Sequence, residues 1–137
     1  MIGCVLRVGG PDFDVDAFLE DSPFEPCAVF HQEEVHSLGR TPSTSSSFNL
    51  DVSDGDLPQQ IVEAIAFLKS EEHELRRLLA FPGVEGHLDF GIARRDSYTQ
   101  SDFFPPELIR LAGALGLGIE LSQYPVVEDD SEESPKP

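Results

Sequence analysis

The chain has 137 residues, of which 39% are hydrophobic, and its 26 acids outnumber its 9 bases to give a formal charge of −17 at pH 7. This length predicts one folded domain, and the hydrophobic share suffices for a core without disulfides or metal. The excess of acids argues against direct binding to nucleic acid or to an anionic membrane, because both need clustered lysine and arginine side chains.

The acidity is divided between a folded part and a tail. Residues 1–125 are predicted to form a single α+β domain, whereas residues 126–137 lack an apolar period and are predicted to form a disordered acidic tail. The tail holds one base and five acids, which are Glu128, Asp129, Asp130, Glu132 and Glu133. The rest of the chain therefore still carries −13, which favours a basic partner protein or a surface adapted for solubility.

The compartment expected from the sequence is the cytoplasm. No apolar run is long enough to span a bilayer, and the start M-I-G-C-V-L-R-V lacks the basic flank and long apolar region of a signal peptide. The two cysteines, Cys4 and Cys27, lie in strand-like apolar runs without a C-x-x-C motif. We expect both to be buried free thiols.

The first elements are short. Alternation over residues 2–8 predicts a strand, and Gly9-Gly10-Pro11 ends it. Asp14 is placed to cap a helix over residues 15–20. Residues 27–31 predict a second strand, which Val35 could extend, and residues 37–47 have the Ser, Thr, Gly and Pro content of a loop.

A third strand follows this loop. Phe48, Leu50 and Val52 are predicted to face the core, and the alternate residues Asn49, Asp51 and Ser53 are predicted to face solvent. Asp56 is then placed to cap a helical region. Its apolar face is interrupted at S-E-E-H-E, so we favour two helices joined near Ser70 over a single long one.

The final segment predicts a strand, a helix and a strand. His87 to Ile92 alternate polar and apolar residues, a helix begins after Pro105 and Pro106, and Gly116 stands where a C-cap belongs. The first six elements give the order β-α-β-β-α-β, which is ferredoxin-like. The last helix and strand are additional elements that extend or cover the sheet.

Three stretches of the sequence carry a resemblance. They are G-G-P-D-F-D-V-D-A-F-L near the start, E-E-H-E-L-R-R-L-L in the middle and P-P-E-L-I-R-L-A-G-A-L-G-L-G-I-E-L-S-Q-Y near the end. Over most of residues 1–124 the chain resembles a family of small bacterial α+β proteins with no assigned function. The resemblance implies an α+β fold and transfers no catalytic residues.

Motifs for catalysis, metal binding and cofactor binding are absent from the sequence. His31 and His36 would lie on opposite faces of a strand, and neither H-E-x-x-H, G-x-S-x-G nor a phosphate-binding G-x-x-x-x-G-K-[ST] occurs. We therefore predict no catalytic residue, no metal and no cofactor. Asp89 is the one carboxylate to inspect, because it could be a buried acid or base or could lie on a solvated sheet face.

One loop stands out against the acidic background. Arg94 and Arg95 are adjacent and open a long loop, 94–104, that also holds Tyr98 and Gln100. These four residues are the candidate binding residues, since Arg and Tyr are enriched at interface hot spots. The alternative is that the arginines pair with nearby acids. Strand alternation places Arg94 on the core side and Arg95 on the solvent side.

The sequence thus favours a non-catalytic cytosolic interaction module that binds another protein. Its sharpest form is an acidic immunity or inhibitor protein that masks a basic partner. The alternative is a domain, binding or enzymatic, that takes a small anion at the loop 94–104.

Overall fold

Five strands form one mixed sheet in the computed structural model, which describes residues 2–33, 44–95 and 98–125. The elements are β1 (Gly3–Gly10), α1 (Val15–Glu20), β2 (Ala28–Phe30), β3 (Ser46–Ser53), α2 (Leu57–Ser70), α3 (Glu72–Leu79), β4 (Glu85–Ala93), α4 (Pro106–Leu115) and β5 (Gly118–Tyr124). The predicted α+β class is confirmed. The predictions for Val35, His36, most of the loop 37–47 and the tail 126–137 lie outside the described residues.

The strands follow the order β2-β3-β1-β4-β5 across the sheet. All neighbours are antiparallel except β4 and β5, which are parallel and are joined by α4 as a crossover helix. β1 lies at the centre, where Leu6 pairs with Leu50 of β3 on one side and with Leu88 of β4 on the other.

The core lies between the helices and one face of this sheet. All four helices contribute buried side chains to a single cluster with the inward residues of β1, β3 and β4. The largest fully buried members are Phe18, Phe48, Phe90, Leu6, Leu68, Leu75, Leu78, Leu88 and Leu108. The opposite face of the sheet, here called the open face, is therefore left without a helical layer among the described residues.

The predicted helix ends are confirmed at three positions. The Asp14 carboxylate accepts a hydrogen bond from the Ala17 N–H at 3.1 Å, and Asp56 accepts from the Gln59 N–H at 3.1 Å. Each bond satisfies a donor that the first turn of a helix leaves free. Gly116 ends α4 with φ +79°, a left-handed conformation that favours glycine.

The prediction of two helices joined near Ser70 is confirmed, since α2 and α3 are separate helices. The junction is Glu71, the residue after Ser70, and the Glu71 N–H donates to the Phe67 carbonyl. α3 is tied to α1 at Arg77, which donates to the Phe18 carbonyl at 3.1 Å and lies 4.4 Å from the centre of the Phe18 ring.

The alternation predicted for the third strand fails at its end because of a β-bulge. Cys4 pairs with Ser53 and Val5 pairs with Asp51, so Val52 has no partner in β1. Ser53, predicted to face solvent, is buried. Gly3 lies opposite the bulge, where an added Cβ would stand 2.7 Å from the Ser53 carbonyl oxygen.

Within the described part of the chain, no helix combines the length and the apolar character needed to cross a membrane.

The ring cluster around Phe18 gives a stability prediction. Phe18 is fully buried and stacks on Phe48 with ring centres 5.8 Å apart. Phe18→Ala should lower the free energy of unfolding by about 3–5 kcal/mol in a urea titration, because it opens a cavity under α1. The control Val62→Ala, at a side chain 63% exposed, should change it by less than about 0.5 kcal/mol. Similar losses for both variants would contradict this packing.

Candidate functional site

The open face is polar along its centre. Strand alternation turns Arg7 of β1, Asn49 of β3, Asp89 of β4 and Glu120 of β5 away from the helices. Arg7 remains partly accessible, with 37% of its side chain exposed. A sheet with one wet face normally carries such residues, so the arrangement of their charges is what distinguishes this surface.

Asp89 is buried although it lies on the open face. Its Oδ2 accepts from Arg7 Nε at 3.0 Å, its Oδ1 accepts from the Ser122 hydroxyl at 2.6 Å, and its side chain is 8% exposed. With its amide oxygen turned toward Arg7, Asn49 also accepts from Nη1 at 3.0 Å. Both carboxylate oxygens are therefore engaged, and Asp89 acts as the fixed counter-ion of Arg7.

A depression of about 390 Å³ lies beside this ion pair, at the end of the open face where the bulge falls. Arg7 and Asp89 line it together with three further carboxylates, Asp51, Asp54 and Glu63. Four carboxylates and one guanidinium give this acidic depression a formal charge of −3. The lining also includes the aliphatic and aromatic side chains of Ile2, Val5, Val52 and Tyr124, together with Gly3, Ser53 and Gly91.

The acids reach the depression from β3 and the turn that follows it, from α2 and from β4, and a polar network holds these elements together. The Ser53 hydroxyl accepts from the Gly55 N–H at 3.2 Å and is also hydrogen-bonded to the carboxylate of Glu63 on α2. Bonds from Ser53 and then Gln59 hold the pKa of Glu63 below its usual value, so this carboxyl stays ionised. Gln60, buried in α2, donates to the carbonyls of Gly55 and Gly91 at 2.9 Å and fixes the helix against β4.

Among the described residues, no three histidine, cysteine or carboxylate side chains are grouped so that they could hold a metal ion. The carboxylates of the acidic depression are spread around a cavity that also has apolar walls. Such a lining suits an organic cation with an aliphatic stem, as in a lysine or arginine side chain, since the stem packs on apolar atoms while the charge meets carboxylates.

The cysteines differ from one another. Cys4 is buried as predicted, and its burial, followed by the charge of Asp89, raises the pKa of the thiol to about 12. Cys27 is exposed, so the prediction of burial is wrong there. It precedes the short edge strand β2, and its sulfur lies 3.6 Å from Asp51 Oδ1. Partial desolvation, and then Asp51, raise the pKa of Cys27, so neither thiol is an activated nucleophile.

The four predicted binding residues have different roles in the loop 94–104. Arg95 donates its N–H to Gln100 Oε1 at 2.7 Å and its guanidinium to Asp102 at 3.1 Å, and Gln100 also donates to Asp102. Arg95 and Gln100 therefore hold the loop together. Tyr98 is fully exposed, and Arg94 is exposed while its N–H pairs with the Tyr124 carbonyl at 2.7 Å.

Both arginines are exposed, so the core side predicted for Arg94 is wrong, whereas Arg95 lies on the solvent side as predicted. β4 ends at Ala93, and its strand alternation does not continue to Arg94. Arg95 is the partnered side chain, and Arg94 makes no side-chain bond within the described residues. A second hollow, the Arg95 groove of about 540 Å³, lies between this loop and the start of α2, with Leu57, Pro58, Ile61 and Phe103 among its walls.

Sequence reasoning missed the acids of the depression. Asp51 and Asp54 were visible in the sequence close to Gly55, but their position beside Glu63 depends on where α2 lies against the sheet, and the bulge at Val52 depends on the pairing with β1. Neither has a local signature. The buried position of Asp89 likewise depends on Arg7, which is 82 residues away in the chain.

No family model matches this chain, and neither a curated protein nor a solved structure is significantly similar to it. The resemblance to small bacterial α+β proteins stays a prediction.

The loop contacts predict different effects for the two arginines. Arg95→Ala should lower the melting temperature by about 2–4 °C, because it removes an ion pair of up to ~1 kcal/mol and leaves the carboxylate of Asp102, with a side chain 7% exposed, without a counter-ion. Arg94→Ala should change it by less than about 1 °C. Differential scanning calorimetry measures both, and a larger loss for Arg94→Ala would contradict the role given to Arg95.

Proposed function

We propose that this protein is a non-catalytic interaction module whose open face binds a basic partner protein. The observation that carries the proposal is the acidic depression, a cavity with a formal charge of −3 on a sheet face that the described helices leave uncovered. A lysine or arginine side chain of the partner enters this cavity and meets Asp54 and Glu63, while Tyr124 and Val52 contact its stem.

The charge of the whole chain supports the same partner chemistry. A protein of −17 attracts basic surfaces over a distance and repels acidic ones, so association is fast and falls with ionic strength. The sharpest form of the proposal is an immunity or inhibitor protein that covers the working surface of a basic partner. Nucleic acid and anionic membranes are not partners in this proposal, because the depression would repel phosphate.

Three observations favour binding over catalysis. Both oxygens of Asp89 are engaged, the pKa values of both thiols are raised, and Glu63 is held ionised by its hydrogen bonds. The two thiols and Glu63 are therefore not poised to exchange a proton near neutral pH.

Fold, family and compartment belong to the same proposal. A ferredoxin-like unit extended by α4 and β5 is supported by the antiparallel order β2-β3-β1-β4 and by β5 lying next to β4. Membership of the bacterial family of unassigned function rests on the sequence resemblance alone. A cytoplasmic address is supported by the two unpaired cysteines.

The depression can be tested with a defined probe. Acetyl-arginine amide, titrated into the protein and followed by NMR, should give saturable shifts at the backbone amides of Val52, Gly91 and Tyr124. Asp54→Asn with Glu63→Gln should weaken this binding by roughly tenfold, since each change removes a charge that attracts the guanidinium. Acetyl-glutamate amide should give no such shifts.

The matched control removes two carboxylates elsewhere. Glu20→Gln with Glu25→Gln changes the net charge equally at exposed sites outside the depression and should leave the arginine affinity within about twofold. Proteins captured from the source organism by the wild type and by this control, but lost with the depression variant, are then the candidate partners. Equal losses in both variants would mean that general acidity, and not the cavity, binds the probe.

A second candidate function is favoured by the Arg95 groove. Its walls are largely apolar and the Arg95 side chain is 53% exposed, so it could take the carboxylate or phosphate of a small apolar anion. This is the anion-binding or enzymatic alternative, and the pairing of Arg95 with Asp102 weakens it because the guanidinium is already compensated.

The anion alternative predicts a thermal shift. A panel of aromatic and aliphatic carboxylates and phosphate esters should contain a member that raises the melting temperature in a concentration-dependent way, and Arg95→Ala should abolish the rise. The absence of any rise at millimolar concentration would rule against this function.

A further inference from the structure

β5 forms an edge of the sheet and is paired on one side only among the described residues. The Arg94 N–H donates to the Tyr124 carbonyl, so Tyr124 directs its backbone groups toward β4. In a parallel ladder the direction alternates residue by residue. Ile119, Leu121 and Gln123 therefore direct their N–H and C=O groups to the free edge.

This edge lacks the usual protection. The opposite edge strand, β2, has only three residues and follows Pro26, whereas β5 has seven residues and no lysine or proline. The one charged side chain of β5 is Glu120, which lies on the open face with its Oε1 2.9 Å from Nε2 of His87. Long edge strands without such protection are templates for pairing with another chain.

An apolar groove of about 340 Å³ runs between this edge strand and α4. Its walls are Phe104, Ile109, Ala112, Gly113, Leu117 and Ile119. Phe104 is anchored against the buried ring of Phe90, with ring centres 5.1 Å apart. Gly113 keeps the α4–β5 groove open, since a Cβ added there would meet no atom within 4 Å.

We propose that an extended segment of a basic partner adds to β5 as a sixth strand. The segment is amphipathic: apolar side chains on its helix side enter the α4–β5 groove, and lysine or arginine side chains on its other side lie along the open face. Strand addition of this kind takes affinity from backbone hydrogen bonds and specificity from pockets for alternate side chains. The inference rests on the proposed function for the charge of the partner.

Two observations favour a basic segment over a second copy of the chain: the net charge of the protein, and the position of the β5 edge next to the acidic depression. Two copies, each at −17, repel, whereas a basic segment is attracted. The open-face side chains of an added strand would also lie beside Ser122 and Tyr124 of β5, and Tyr124 lines the acidic depression. The edge and the depression therefore form one continuous surface for one partner.

Hydrogen exchange tests the edge in the free protein. The amides of Glu120 and Ser122, which face β4, should be protected, and those of Ile119, Leu121 and Gln123 should exchange rapidly. Protection of these three in dilute protein would overturn the proposal, because the edge would already be occupied by the chain itself. Protection that appears only as the protein concentration rises would overturn it in favour of a second copy.

A synthetic strand then tests the occupant. The probe is an acetylated and amidated peptide of alternating lysine and valine, as long as the seven residues of β5. It should protect the amides of Ile119, Leu121 and Gln123, and its backbone N-methylated analogue, which has the same charge, should not. Equal binding of both peptides without protection would show that the attraction is only electrostatic and would overturn strand addition.

Gly113 supplies a variant that closes the groove without disturbing the core. Gly113→Leu should weaken binding of the peptide by about tenfold or more, since a leucine fills the space meant for an apolar side chain. The control Ala114→Leu, at an exposed position of α4 that is not part of the groove, should stay within about twofold. Gly113→Leu should melt at or above the wild-type temperature, because leucine favours a helix more than glycine does, and Ala114→Leu should melt close to it, because alanine and leucine are both strong helix formers.

The two proposals fail separately. Gly113→Leu should leave the binding of acetyl-arginine amide in the depression unchanged. If the peptide protects the edge and arginine amide does not bind, the depression proposal fails and the edge stands. If arginine amide binds and the peptide gives no protection of the three edge amides, or if Gly113→Leu binds the peptide as the wild type does, the strand-addition inference is overturned.

Discussion

The structure depends on the central strand β1 having one face buried and one face wet. Leu6 and Val8 lie in the core with the helices, and Arg7 between them points to the open face. An arginine at the centre of a sheet needs a counter-ion and hydrogen-bond acceptors within reach. Asp89 on β4 and Asn49 on β3 meet that need from the two neighbouring strands, so this interaction crosses the three central strands of the sheet.

In this arrangement, the residues that stabilise the fold lie on one face of the sheet and the residues that are available to bind a partner lie on the other. The aromatic and leucine side chains under the helices provide the burial that holds the domain together, and the described helices lie on that side. The open face contributes little apolar burial, so its outer carboxylates are available for recognition. Asp54 and Glu63 are two such carboxylates. Both line the depression and neither belongs to the core cluster, so replacing them removes no core contact.

Local signals in the sequence predicted the local structure. The caps at Asp14 and Asp56, the C-cap at Gly116 and the break between α2 and α3 each depend on a few adjacent residues. The candidate site depends on contacts between distant segments. The bulge at Val52 arises from pairing with β1, and the burial of Asp89 arises from Arg7 and Ser122 on two other strands. Alternation alone could assign Asp89 a face but not its burial.

In the loop 94–104, the presence of two arginines was not enough to predict which of them is free to bind; that depends on the contacts that each side chain makes. Two adjacent arginines in an acidic chain suggested a binding surface, yet a chain rich in carboxylates also offers each arginine a partner within its own loop. Arg95 finds Asp102 a few residues away, and Gln100 bonds to both. In a chain with many more acids than bases, each base can find a carboxylate to pair with. The charge that stays unpaired is therefore negative and lies on carboxylates. The acidic depression, with four carboxylates around one guanidinium, holds part of that surplus beside apolar walls.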